Sequence, residues 1–206
     1  MGSTACEIRD GRIYSRACDD LIGCATIVAT FEELERTEAP VAMYGLFTRA
    51  EEVGFVGAIQ LARARRLPKD ITVISLETSS EKGGQCKMGD GVIVRVGDRT
   101  SIFDPAVSLT LSELARDLKI PAQRALMAGG TCEATPFRLY GYRTGALCVA
   151  LGNYHNCGPE TKIAAEYVAF DDVASMVQLC TALAQAETEP SSAEDALRTR
   201  LEKRVE

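Results

Sequence analysis

Apolar positions along the chain switch repeatedly between helical and strand-like spacing. Residues 20–36 carry Leu21, Ile22, Ala25, Ile27, Val28, Phe31 and Leu34 at helical intervals before ending in charge. The run VAMYGLF (41–47) after Pro40 predicts a buried strand, and 55–66 a helix stopped at Leu67-Pro68. ITVISLE (71–77), rich in β-branched residues, predicts a second strand. A polar loop over 79–90 precedes an alternating strand at 91–97. Asp104-Pro105 has the chemistry of a helix start, with an acceptor at the cap and proline in the first turn, and the helix runs to about Lys119. The turn Gly129-Gly130-Thr131 leads into a short helix at 133–140, followed by a buried strand at 145–152 and an amphipathic helix at 171–185. From Glu187 the chain turns charged and polar, reading as a mobile or independently helical tail.

Such alternation predicts an α/β fold with a mostly parallel or mixed sheet between helices, one domain over 1–185 and a charged tail over 186–206. In sheets of this kind functional groups gather where strands end. Four such element ends carry ligating or acidic side chains: Asp19-Asp20 at a helix start, Glu51-Glu52 after 41–47, Glu77 at the end of 71–77, and His155 after 145–152. Singly, each has an ordinary explanation as a cap, a solvated turn or a structural histidine. Together they form a donor set for zinc, cobalt or manganese, with one acid of the Glu51-Glu52 doublet left over as a general base.

Charge and composition narrow the function further. Lys and Arg number 23 against 29 Asp and Glu, a net charge of −6, which argues against nucleic-acid binding. The basic group Arg63, Arg65, Arg66 and Lys69 reads as a solvated helix end. No apolar run reaches the roughly 20 residues of a membrane span, and no secretory signal opens the chain. Eight cysteines without a CxxC pair read as reduced thiols of a cytoplasmic protein. Neither 89–97 nor 129–131 supplies a phosphate-binding glycine pattern, which argues against a nucleotide-binding module.

The segments SRACDDLIGCATIVATFEEL (15–34), GLFTRAEEVGFVGA (45–58), ISLETS (74–79), GGTCEATPF (129–137) and GNYHN (152–156) occur in a familiar order. Over roughly residues 8–185 the chain resembles the metallo-aminopeptidases of the glutamyl, deblocking and tetrahedral type, within the zinc exopeptidase clan. The resemblance implies a three-layer hydrolase-like architecture and a metal-dependent hydrolase of peptide or small amide bonds. It implies Asp19 as the ligand bridging two metals, Asp20 supporting it, Glu51 as the base acting on metal-bound water, Glu52 and His155 as ligands of one ion, and Glu77 as ligand of the other. It also implies substrate contacts at Thr131, Cys132 and Glu133, and assembly into a homo-oligomer.

Three departures from the family pattern qualify these expectations. The sole histidine is His155, so the family's His-x-Asp ligand, expected well before Asp19, is absent, and the chain reads as truncated at the N-terminus. Glu77 stands where the family has Asp, and the turn acid is displaced by one position to Glu133. The expectation is one or two ions per chain, with the site sharing Glu77 the weaker. The competing expectation is a non-catalytic or split relative that binds a metal, or a partner chain carrying the missing segment. Cys132 reads either as an accessory reactive group or as a buried, inert thiol.

Overall fold

The computed structural model describes residues 6–38, 40–82, 84–186 and 191–204. A hairpin of β1 (Cys6–Arg9) and β2 (Arg12–Ser15) leads into α1 (Cys18–Thr37). There follow α2 (Val56–Ala64), β3 (Thr72–Ser80), β4 (Val92–Asp98), α3 (Pro105–Asp117), β5 (Ala122–Met127), α4 (Ala134–Leu139), β6 (Arg143–Leu151), β7 (Glu166–Ala169), α5 (Phe170–Gln185) and α6 (Ser191–Glu202).

Four strands form the central sheet in the order β3-β6-β4-β5. β3 runs parallel to β6 and β4 parallel to β5, while β4 and β6 are antiparallel, so the sheet is mixed. β6 explains the unbroken apolar run: Leu147 and Val149 face one layer while Cys148 and Ala150 face the other, and all four are fully buried. On the first side, Ile22, Val107, Leu111, Met176 and Leu179 of α1, α3 and α5 close the main core. On the other, Ala58 and Ala62 of α2 and Phe137 of α4 pack on Val73. The result is the expected three-layer α/β architecture. A second sheet, β1-β2-β7, adjoins it through a bridge between Gly152 and Tyr167. A side chain at Gly152 would collide with the Tyr167 ring, so only glycine permits this junction.

Several predicted elements appear nearly as read. Asp104 caps α3 by accepting from the Ala106 N–H at 2.9 Å, with Pro105 in the first turn. Others are corrected. Residues 41–47 form no strand: their main chain has no hydrogen-bonding neighbour among the described residues. β3 continues to Ser80, into the predicted loop, because β6 pairs with it as far as Leu151. Strands β5 and β7 lie where none was predicted. Residues 187–190 of the tail lie outside the described residues, and α6 beyond them lies beside α3. Among the described residues no helix is long and apolar enough to cross a membrane.

Candidate active site

Asp19 and Asp20 sit at the entry of α1, where their backbone is still non-helical. The Asp20 Oδ1 accepts the Gly23 N–H at 3.1 Å, so Asp20 does cap the helix. A Cβ on Gly23 would collide with that carboxylate, which explains glycine there. The Asp19 N–H donates to Glu166 Oε2 at 3.1 Å, anchoring the turn to β7. Glu51 and Glu52 occupy the turn before α2, where the Glu51 carbonyl accepts the N–H groups of Gly54 and Phe55. Glu77 lies inside β3, its Oε1 accepting from the Ser75 hydroxyl at 2.9 Å and the Glu133 N–H at 3.4 Å.

His155 projects from a tight turn after β6 in which Asn153, His155 and Asn156 all adopt left-handed backbone angles. Side-chain bonds hold that turn: Asn156 Nδ2 donates to the carbonyls of Arg16 and Ala164, and Asn153 Nδ2 to that of Ala165. The imidazole stacks on Tyr154 at 3.9 Å, and its Nε2 lies 3.7 Å from Asp19 Oδ2.

These segments converge on two adjoining hollows of about 410 and 550 Å³. Asp19, Glu51, Glu52 and Glu77 line both. Asp20 and Glu133 belong to the first hollow, Thr131 and His155 to the second. Burial and the neighbouring Glu77 push Asp20 up to about 9, even though the Gly23 N–H opposes the shift. Glu51 is pushed up to about 7 by burial and by Glu77, Glu52, Glu133 and Asp19. Glu77 also reaches about 7 through burial, tempered by Arg95, Ser75 and the Glu133 N–H. Burial raises Glu133 as well, while the Thr48 hydroxyl, 2.6 Å from its carboxylate, holds it back.

Cys132 is brought to the site's wall but not into it. It is 1% exposed, packed with Phe103, Ala134 and Ala146, and its thiol is raised by burial. The structure therefore favours the inert reading of this cysteine over a substrate contact or reactive role. In the native protein a thiol reagent is expected to modify Cys6 and Cys157, which are exposed, and to leave Cys132 and Cys148 intact until unfolding. Mass mapping of the labelled peptides checks this; rapid native labelling of Cys132 would contradict it.

Three side chains matter here that the sequence reading did not single out: Glu166, Arg95 and Asp98. Arg95 is 3% exposed, its Nε has no hydrogen-bond partner among the described residues, and it borders the second hollow. Asp98 closes β4 and organises the turn that carries Thr131 and Glu133. Its Oδ1 accepts the N–H groups of Thr100 (2.7 Å) and Ser101 (2.8 Å), and its Oδ2 accepts the Cys132 N–H (3.0 Å) and the Thr135 hydroxyl (2.6 Å). Burial opposes its charge, but these four donors, the Thr135 hydroxyl foremost, outweigh it and hold the carboxyl below its ordinary value. A folded-state value below the unfolded one stabilises the protein in full above about pH 5 and is lost as pH falls through the depressed value. Asp98→Asn replaces an acceptor by a donor facing N–H groups, with an expected cost of about 2–3 kcal/mol. Urea unfolding at pH 7 measures the loss, which shrinks toward low pH; a pH-independent difference would contradict this account.

Carboxylates and one imidazole are, by donor chemistry, the kind of set a divalent cation takes. The carboxylates crowd one ridge, and burial first, with the neighbouring acids adding to it, raises Asp20 and Glu51. As they stand, no three His, Cys, Asp or Glu side chains among the described residues converge tightly enough to clasp one ion.

Residues 1–179 match the family model for M42 glutamyl aminopeptidases. The chain belongs to that family. This M42 chain is 29% identical over 167 residues to a protein of Acetivibrio thermocellus that bears an aminopeptidase name, covering 76% of this chain and 50% of the relative. Its fold matches a TET aminopeptidase from a marine-sediment thaumarchaeon with a TM-score of 0.77, at 21% identity over 91% of this chain and 52% of the other. It also matches the Pyrococcus horikoshii TET1 peptidase, described as assembling into a tetrahedron or a large octahedral shell (TM-score 0.72, 23% identity, 87% and 52% covered). The M42 chain thus spans about half the length of the relatives it matches.

Proposed function

We propose that the M42 chain is the peptidase-like domain, over 1–185, of a metal-dependent hydrolase that cleaves peptide or small amide bonds, as an aminopeptidase does. The observation that supports this best is the common ridge: Asp19, Glu51, Glu52 and Glu77, from three separate segments, line both hollows, and His155 flanks one of them.

In this reading Asp19, Glu52 and His155 would hold one ion, and Asp19 with Glu77 would hold a second more weakly, for want of another imidazole. Zinc suits the set, with cobalt or manganese as alternatives. Such an ion supplies Lewis-acid polarisation of the scissile carbonyl and eases deprotonation of water. The protein's own residues do the rest. Glu51 accepts the proton of the attacking water and returns it to the leaving amine. Asp20, bonded to Gly23, fixes the entry of α1 and with it the position of Asp19. Thr131 and Glu133, held by Asp98 and Thr48, border the space where substrate would lie. Assembly into a homo-oligomer accompanies this reading.

The test is hydrolysis of aminoacyl p-nitroanilides before and after chelation. Removal of divalent ions is expected to abolish turnover, and added zinc, cobalt or manganese to restore it. Turnover that survives exhaustive chelation would overturn the reading.

A further inference from the structure

One cation inside the fold has no partner of its own. Arg95 of β4 is 3% exposed, with its Nε unbonded and no carboxylate within ion-pair distance among the described residues. An arginine stays protonated at any ordinary pH, so a full positive charge is carried into the sheet. Burying such a charge is costly unless a countercharge compensates it. The nearby thiols do not: burial raises both Cys132 and Cys148, against the pull of Arg95 itself. Asp98, also near, is already taken up by four other donors.

The acid that remains is Glu77. β6 pairs Ala146 with Ser75 of β3 and with Arg95 of β4, and it pairs Cys148 with Glu77 and with Ile93. Paired residues share a sheet face, so Glu77 and Arg95 stand on one face with only β6 between them, two residues out of step. Two strand spacings, roughly 10 Å, separate their backbones. Both side chains reach into the second hollow's lining, and Arg95 draws Glu77 down against the effect of burial. Lys82 also lines that hollow, but it is exposed, so water screens its charge.

We propose that Arg95 is a built-in countercharge that takes the place of a second metal ion, balancing Glu77 from across β6 and so limiting the ridge to one ion. This rests on the metal-centre reading above and gives the single ion a cause within the fold. Like charges repel most strongly where water is excluded, and an ion on Glu77 and Asp19 would share the hollow with the guanidinium. Two carboxylates without an imidazole offer that ion little in return. Among the ridge acids Glu77 acts on Arg95 most strongly, so an ion held through Glu52 and His155 is the less affected. Arg95 is thus a positioning residue for charge: it touches neither ion nor substrate in this account, and it sets how many ions the carboxylates accept.

Equilibrium dialysis of the intact chain against graded zinc, with bound ion read by mass spectrometry, tests this without any turnover. The parent is expected to bind one ion firmly. Arg95→Met and Arg95→Gln, which both remove the charge, are expected to bind a second ion at least about tenfold more tightly than the parent does. Combining Arg95→Met with Glu77→Gln should lose that second ion again, and Arg95→Lys, which keeps a cation, should retain the parent's stoichiometry. Thermal unfolding with chelator checks that each variant is folded. One ion in the parent and in both neutral variants would overturn the role of Arg95 and leave the metal centre standing. Two ions held equally tightly by the parent, a second ion in the Lys variant, or one that survives Glu77→Gln would overturn it as well. No ion in any of these proteins would remove the metal reading and this proposal together.

Discussion

Replacement of Glu51 by Gln is expected to lower hydrolytic turnover by about 10³-fold or more while leaving the fold and the bound metal in place. The side chain keeps its size and its position in the turn before α2, so packing is undisturbed. What it loses is the ability to take a proton. Glu51 is suited to that task because burial and the carboxylates around it hold it up to about 7 in the metal-free chain, near the pH at which a base gives and takes protons. A glutamate with a merely structural role would behave differently, with Gln changing stability and not rate. Measurement of kcat alongside metal content separates the two. Equal turnover in parent and variant would remove Glu51 from the chemistry.

The second large effect is expected at His155. Asp19, Glu52 and His155 make only three protein ligands, the minimum for an ion that also leaves a position for water. Removing the imidazole leaves two carboxylates, and the loss of affinity should exceed the roughly 10–100-fold that a residue behind a ligand commands. The turn itself should survive His155→Ala, because Asn153 and Asn156 anchor it through bonds that do not involve the imidazole. A folded variant with reduced metal is therefore the expected product. Thermal unfolding in the presence of chelator, where parent and variant should coincide, checks that the fold is intact.

Much of this arrangement was legible in the chain. The unbroken apolar run of β6 announced a strand buried on both faces, and Asp104-Pro105 announced the start of α3. The acids at element ends led to Asp19, Glu51, Glu52 and Glu77, and the family resemblance gave them roles. β5 escaped because AQRALM lacks β-branched residues and reads as readily as helix; its pairing with β4 decides its form. The opposite error at 41–47 has the same cause. Its sequence is strand-like, but a strand exists only where a neighbour accepts its hydrogen bonds, and local pattern does not report neighbours. Asp98 was hidden for a related reason. An acid at a strand end is ordinarily solvated, and only the return of residues 130–135 shows that it anchors the turn carrying Thr131 and Glu133. Glu166 and Arg95 likewise acquire meaning only from long-range contacts.

The central claim is that the carboxylate ridge with His155 is a metal centre, and metal content per chain tests it most directly. Parent and His155→Ala protein, purified in dilute zinc and desalted, would be assayed by inductively coupled plasma mass spectrometry. The account predicts one firmly held ion per parent chain, with any second ion lost on desalting, and little or none in the variant. A parent chain that retains no ion, or a variant that retains as much as the parent, would contradict it.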